Sequence, residues 1–139
     1  MNRLNGKHLF KSTLVFAFLS LFFAVAIGAM GAHVLKNLLE PAKLSSLETG
    51  VRYQFYHSLA LLIIPLLTQY VSQKKLLVAS WLFRAGICLF SGSIYLLSTI
   101  ELTQIGWFKW FGPITPIGGL FFLSGWLFLL FAVLSNPKD

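Results

Sequence analysis

The chain has 139 residues, of which 57% are hydrophobic and 11% charged, and its only acids are Glu40, Glu48, Glu101 and Asp139. A soluble domain carries about 25% charge, so this composition excludes a water-facing surface over most of the molecule. The net charge of +7 does not point to nucleic acid, because the basic residues sit mostly at the ends of apolar runs and leave no basic stripe or recognition motif.

The first apolar run covers 12–32 and follows Arg3, Lys7 and Lys11. It is uncharged and long enough to cross ~30 Å of hydrocarbon. It exceeds the roughly 7–15 residues of a signal-peptide core, so an uncleaved span is expected. A polar connection follows, containing Ser45-Ser46-Leu47-Glu48. That S-x-x-E pattern has the form of a capping box and predicts a helix start near Ser46. The second span is expected over 51–71, kinked at Pro65, which lacks a donor N–H and clashes with the preceding turn. Ser72-Gln73-Lys74-Lys75 reads as a tight basic turn. The third span covers 76–100 and contains Arg84 and the single cysteine, Cys88. One cysteine forms no intrachain disulfide and no CxxC motif, so it reads as a small buried apolar residue. Residues 101–115 read as a loop. The fourth span covers 116–134, with Pro116 suited to a first helical turn and Asn136-Pro137 as the stop.

Irregular backbone cannot face lipid, and the runs are too long and continuous for barrel strands. The expected fold is all-α, an integral-membrane four-helix bundle in one domain, 1–139. Basic residues favour the cytoplasmic side. With the N-terminus inside, Arg3, Lys7, Lys11, Lys74, Lys75 and Lys138 lie inside, and Lys36, Lys43, Arg52 and Lys109 outside. The bias predicts both termini inside (N-in/C-in). Tyr53, Tyr56, Trp107 and Trp110 then form an outer aromatic belt, and Trp81 and Tyr70 an inner one. Small residues mark helix contacts in lipid. The predicted stripes are Ala24, Gly28 and Ala32; Ala79, Gly86 and Ser93; and Gly118 with Gly125. One of them is also available to a homo-oligomer.

Polar groups inside a bilayer are expensive. Arg84 lies about 12 Å from the inner end of its span by helix rise. It contacts a lipid phosphate or substrate, or it snorkels to the head groups. His33, Tyr53, Gln54, His57, Ser91, Ser93, Tyr95 and Thr115 are expected at similar depth in the outer leaflet. That cluster forms either a small binding, proton or head-group site, or interhelical hydrogen bonds that fix the bundle. Two histidines without a third ligand and without HExxH predict no metal site. No GxSxG, Walker motif or acidic dyad is present. Gly112 to Gly119 lacks the GK[ST] ending of a phosphate loop and reads as a re-entrant or tightly turned lead-in to the fourth span.

Four ordered motifs resemble the YgdD/YwdK family of small membrane proteins, a domain-of-unknown-function family with eukaryotic relatives. They are Gly28-Ala29-Met30-Gly31-Ala32-His33, Tyr53-Gln54-Phe55-Tyr56-His57-Ser58-Leu59-Ala60-Leu61, Phe90-Ser91-Gly92-Ser93-Ile94-Tyr95 and Gly112-Pro113-Ile114-Thr115-Pro116-Ile117-Gly118-Gly119. The resemblance implies four helices and, in bacteria, the cytoplasmic (inner) membrane. It implies no reaction, cofactor or substrate. The function expected is that of a non-enzymatic multi-pass envelope protein, contributing to membrane integrity or binding a lipid or partner, with membrane lipids as partners and no cofactor. Two alternatives are an oligomeric small transporter or channel subunit, resting on Arg84, His57 and the cluster, and an intramembrane enzyme using His33 or His57 as general base.

Overall fold

The computed structural model describes the backbone of residues 3–135 and side chains from Phe10 onward. Every regular element among them is helical: α1 (Arg3–His33), α2 (Pro41–Ile63), α3 (Gln73–Gly86), α4 (Gly92–Ser98), α5 (Ile100–Thr103) and α6 (Ile114–Leu134). Among the described residues, three stretches are long and apolar enough to cross a membrane: Phe10–Asn37, Gln73–Ser98 and Gly106–Leu134. The second expected span differs. Lys43, Glu48 and Arg52 occupy the first half of α2, and its α-helical hydrogen bonding stops at Ile63.

Several boundaries depart from the sequence expectations for local reasons. α2 begins at Pro41, not near Ser46. Glu40 is extended (φ −60°, ψ 148°), as the residue before proline prefers, and Pro41 takes the first helical position. The expected capping box is therefore inside the helix. The Ser46 and Thr49 hydroxyls donate back one turn, to the Ala42 and Ser45 carbonyls. Pro65 does not kink a continuing α-helix. It tightens the chain into a 3-10 segment, Ile64–Gln69. Lys74 and Lys75 belong to the first turn of α3. The third run carries a π-helical turn, Ile87–Ser91, that joins α3 to α4; Cys88 within it is exposed, not buried as expected, because the turn packs Ile87 and Ser91 inward instead. The expected loop 101–115 is mostly wound, with α5 followed by a 3-10 segment, Gly106–Phe111. Pro113 makes the tight turn into α6, and Pro116 falls in its first turn. The Asn136-Pro137 stop and Lys138 lie outside the described residues, as do the side chains of Arg3 and Lys7.

The buried face of α1 runs Thr13, Ala17, Ser20, Ala24 and Gly31, spaced in threes, fours and sevens, so the stripe ends on Gly31 while Ala32 is exposed. This is the repeat of close left-handed helix packing. α2 lies antiparallel against it. A Cβ on Gly31 would lie 3.2 Å from Leu47 Cδ2, and one on Gly28 would lie 3.3 Å from Val51 Cγ1. The other face of α1 presents Phe18, Phe22, Phe23 and Val25 outward.

α3 and α6 interlock more tightly. Phe83 fills the space above Gly125, Phe122 fills the space above Gly86, and the Phe90 backbone presses on Gly118. Large faces small at each step, in antiparallel register. A Cβ on Gly118 would lie 2.3 Å from the Phe90 nitrogen, a contact no rotamer change relieves. We expect Gly118→Ala to lower stability by about 1–3 kcal/mol through overpacking. Gly119→Ala, whose Cβ would lie 3.8 Å from the Phe90 ring, is expected to be near neutral. Thermal unfolding of both variants in detergent checks this.

Candidate functional site

Apart from His33, the predicted polar residues lie on α2, on the π-turn with α4, and at the start of α6. The structure divides them into separate fastenings. Gln54 is buried and bridges two helices: its amide nitrogen donates to the Ser20 carbonyl at 2.8 Å, and its oxygen accepts from the Tyr95 hydroxyl at 2.6 Å. Ser58 donates to the Ser20 hydroxyl at 2.7 Å. Ser91 donates to the Gly50 carbonyl at 2.8 Å. That bond is possible because Gly50 has no side chain, where a Cβ would lie 2.9 Å from the Tyr95 ring. Ser93 pairs with Thr115 at 2.7 Å, tying α4 to α6. Thr13 pairs with Ser80 at 2.9 Å, tying α1 to α3.

His57 joins α2 to α6. Its Nδ1 lies 2.7 Å from the Tyr53 carbonyl, and its Nε2 lies 3.1 Å from Trp126 Nε1. An indole nitrogen only donates, so Nε2 is the acceptor and Nδ1 carries the hydrogen. Both nitrogens of the neutral ring are thereby satisfied. The ring also stacks on Phe122, with centroids 3.5 Å apart and planes within 11°. The Tyr53 ring lies against Phe90, 4.8 Å between centroids.

His33 stands apart. It is exposed at the end of α1 and takes no part in these hydrogen bonds. Sequence reasoning missed Ser20, Ser58, Thr13, Ser80 and Trp126. The signal for two of them was present: Thr13 and Ser20 fall on the same small-residue face of α1 as Ala17 and Ala24. Trp126 gave no such signal, since its value depends on the rotation of α6.

Beside the His57–Trp126 pair lies an apolar groove of about 610 Å³. Tyr53, Tyr56 and His57 form one wall, Phe90 the floor, and Pro116 through Trp126 of α6 the other wall. Arg84 lies elsewhere, between α1 and α3. Its guanidinium sits 4.8 Å from the Phe16 ring centre and 4.4 Å from that of Trp81. Such cation–π contacts contribute about 0.5–2 kcal/mol each, more as water is excluded. Lys11, Ser12 and Arg84 line an open cleft there. Among the described residues no three His, Cys, Asp or Glu side chains come together as a metal site would need.

Because the Tyr95 hydroxyl bonds Gln54 itself, deletions of these two side chains should not add. We expect Tyr95→Phe to cost about 0.6–2 kcal/mol, Gln54→Leu to cost more, and the double variant to cost less than the sum. Equilibrium unfolding of the three variants in mixed micelles tests this coupling.

The family described as "Protein of unknown function (DUF423)" matches residues 27–119. A UPF0382 membrane protein of Staphylococcus aureus (strain bovine RF122 / ET3-1) is 43% identical over 122 residues, covering 88% of this chain and 94% of that protein. The UPF0382 membrane protein YwdK of Bacillus subtilis (strain 168) is 35% identical over 123 residues, covering 88% and 95%. The UPF0382 inner membrane protein YgdD of Escherichia coli (strain K12) is 36% identical over 117 residues, covering 84% and 85%. No solved structure matches. The family resemblance carried by the four motifs therefore holds along most of the chain, and the protein belongs to the DUF423 family of UPF0382 membrane proteins.

Proposed function

We propose that the chain is a four-span N-in/C-in bundle of the bacterial cytoplasmic (inner) membrane that binds lipid and reinforces the envelope without catalysing a reaction. The observation that carries this reading is the use of the polar residues. Gln54, His57, Ser58, Ser91, Ser93 and Tyr95 spend their hydrogen bonds on neighbouring helices. A general base needs a free lone pair facing substrate, and the His57 lone pair is taken by Trp126. A wide apolar groove remains beside them, lined by aromatic rings, and its chemistry suits an acyl chain.

Four crossings are supported by the uncharged stretch 53–71, which continues α2 towards the end of the bundle where α3 begins. The small-residue faces are filled within one chain, which leaves a homo-oligomer to other surfaces. Lys11 and Arg84 form a separate basic cleft suited to a lipid phosphate, with the Arg84 guanidinium set against two rings.

Topology is testable by labelling single cysteines in a Cys88→Ser background with a membrane-impermeant maleimide. Asn37→Cys should react in intact spheroplasts and Ser72→Cys only after lysis; the reverse pattern would refute the orientation. Native mass spectrometry from mild detergent should show retained phospholipid. Deleting the gene should raise permeability and detergent sensitivity under envelope stress, and an unchanged envelope would count against the proposed role.

A further inference from the structure

We propose that the furrow between α2 and α6 holds one anionic phospholipid, its phosphate beside Lys43 and Ser98 and an acyl chain in the aromatic groove below. This rests on the lipid-binding reading above and assigns the head group to it.

A second cavity, of about 310 Å³, lies at the loop end of the same furrow. Lys43, Ser46 and Thr49 of α2 form one side, Leu97 and Ser98 of α4 the floor, and Thr115 of α6 the other side. The two cavities are separate but follow one another along the same helices. On α2 their residues follow at three- and four-residue steps, from Lys43, Ser46 and Thr49 to Tyr53, Tyr56 and His57, which is one stripe along a helix. On α6, Thr115 lines the upper cavity and its neighbour Pro116 the lower. The upper part is hydroxylic and cationic, and the lower part is aromatic and aliphatic. That order matches an amphiphile aligned with the helices.

Two groups in the upper cavity retain unused hydrogen-bonding capacity. Lys43 Nζ donates to the Leu97 carbonyl at 3.3 Å, and an ammonium has three donors. Ser98 is 2% exposed, and its hydroxyl has no partner. The other hydroxyls around the cavity are engaged: Ser46 with the Ala42 carbonyl, Thr49 with the Ser45 carbonyl and Thr115 with Ser93. A buried hydroxyl left unpaired is destabilising, so it calls for a ligand. Arg52 donates to Thr49 Oγ1 at 3.1 Å but lines neither cavity. Glu48 of α2 lines neither cavity. An oxyanion fits this field, because its oxygens accept from both the ammonium and the Ser98 hydroxyl. The apolar groove that follows along the same helices selects a lipid phosphate over a free one.

The test uses the full chain in nanodiscs with photoreactive lipids that carry a diazirine in the acyl chain. Phosphatidylglycerol and phosphatidylcholine with the same chains are compared, and crosslinked peptides are mapped by mass spectrometry. Both lipids carry the phosphodiester, but the choline ammonium offsets its charge and is repelled by Lys43, so phosphatidylglycerol should crosslink the 53–57 and 119–126 segments about tenfold more than phosphatidylcholine. Lys43→Gln should reduce it to the phosphatidylcholine level, Lys43→Arg should largely keep it, and Ser98→Ala should lower it about threefold. Leu123→Trp, which fills the groove from an exposed position, should suppress both lipids. Unchanged discrimination in both Lys43→Gln and Ser98→Ala overturns the head-group assignment while leaving groove binding intact. Crosslinking indifferent to Leu123→Trp removes the lipid reading as well. Millimolar inorganic phosphate that displaces phosphatidylglycerol from wild type but not from Lys43→Gln would make the site one for free phosphate and refute the lipid.

Discussion

The glycine–aromatic interlock of α3 and α6 sets the geometry on which the rest depends. Lipid tails are as apolar as leucine side chains, so helices in a bilayer gain little by merely hiding apolar surface. They gain by fitting closely. Phe83 over Gly125 and Phe122 over Gly86 form such a fit, reciprocal across an antiparallel pair. One turn further, the backbone at Phe90 reaches Gly118, where the π-helical turn runs. Continuing that register brings Ala79 towards Leu129 and Leu76 towards Ala132, all buried in one core. A side chain at any of the three glycines would push the helices apart along the whole seam.

That seam also fixes the surroundings of His57. Phe122, locked by Gly86, offers a flat ring on which the imidazole stacks. Trp126 is one turn along α6 and points its N–H at His57 Nε2. The histidine is thus a strut between α2 and α6, held by stacking and two hydrogen bonds. The other polar residues act similarly. Gln54 draws together α1, α2 and α4, and Ser93 with Thr115 pins α4 to α6. Bonds of this kind contribute modestly in a membrane, near 0.6 kcal/mol on average. Their larger effect is to fix helix rotation, since any other register leaves polar atoms unpaired in hydrocarbon.

Fixing the bundle in this way leaves a consequence at its surface. α2 and α6 meet through rings at His57, Phe122 and Trp126 but leave a furrow along their length, floored by the π-turn and α4. The polar residues near its upper end include Ser98, whose hydroxyl is, among the described residues, the one buried side-chain polar atom without a partner. A chain with so few charges places Lys43 where hydroxyls and an apolar channel converge. This division separates the interior, whose polar groups satisfy one another, from a flank where capacity remains.

Much of this was legible in the sequence. The length and apolarity of the runs determine membrane helices, because the cost of exposed backbone and charge in hydrocarbon is local and additive. The spacing of Gly86, Gly118 and Gly125 marked the tight seam for the same reason, since a missing side chain can be read without its partner. The four motifs carried the family. The tertiary structure alone decided which polar groups meet. His33 belongs to the first motif yet ends exposed, while Ser20 and Trp126 become partners of Gln54, Ser58 and His57. The start of α2 passed from the Ser45–Glu48 pattern to Pro41, and the π-turn had no sequence signature. Hydrogen bonds depend on distances of a few ångströms between different helices. Those distances follow from how each helix rotates and slides against its neighbours, which residue spacing along one helix does not specify.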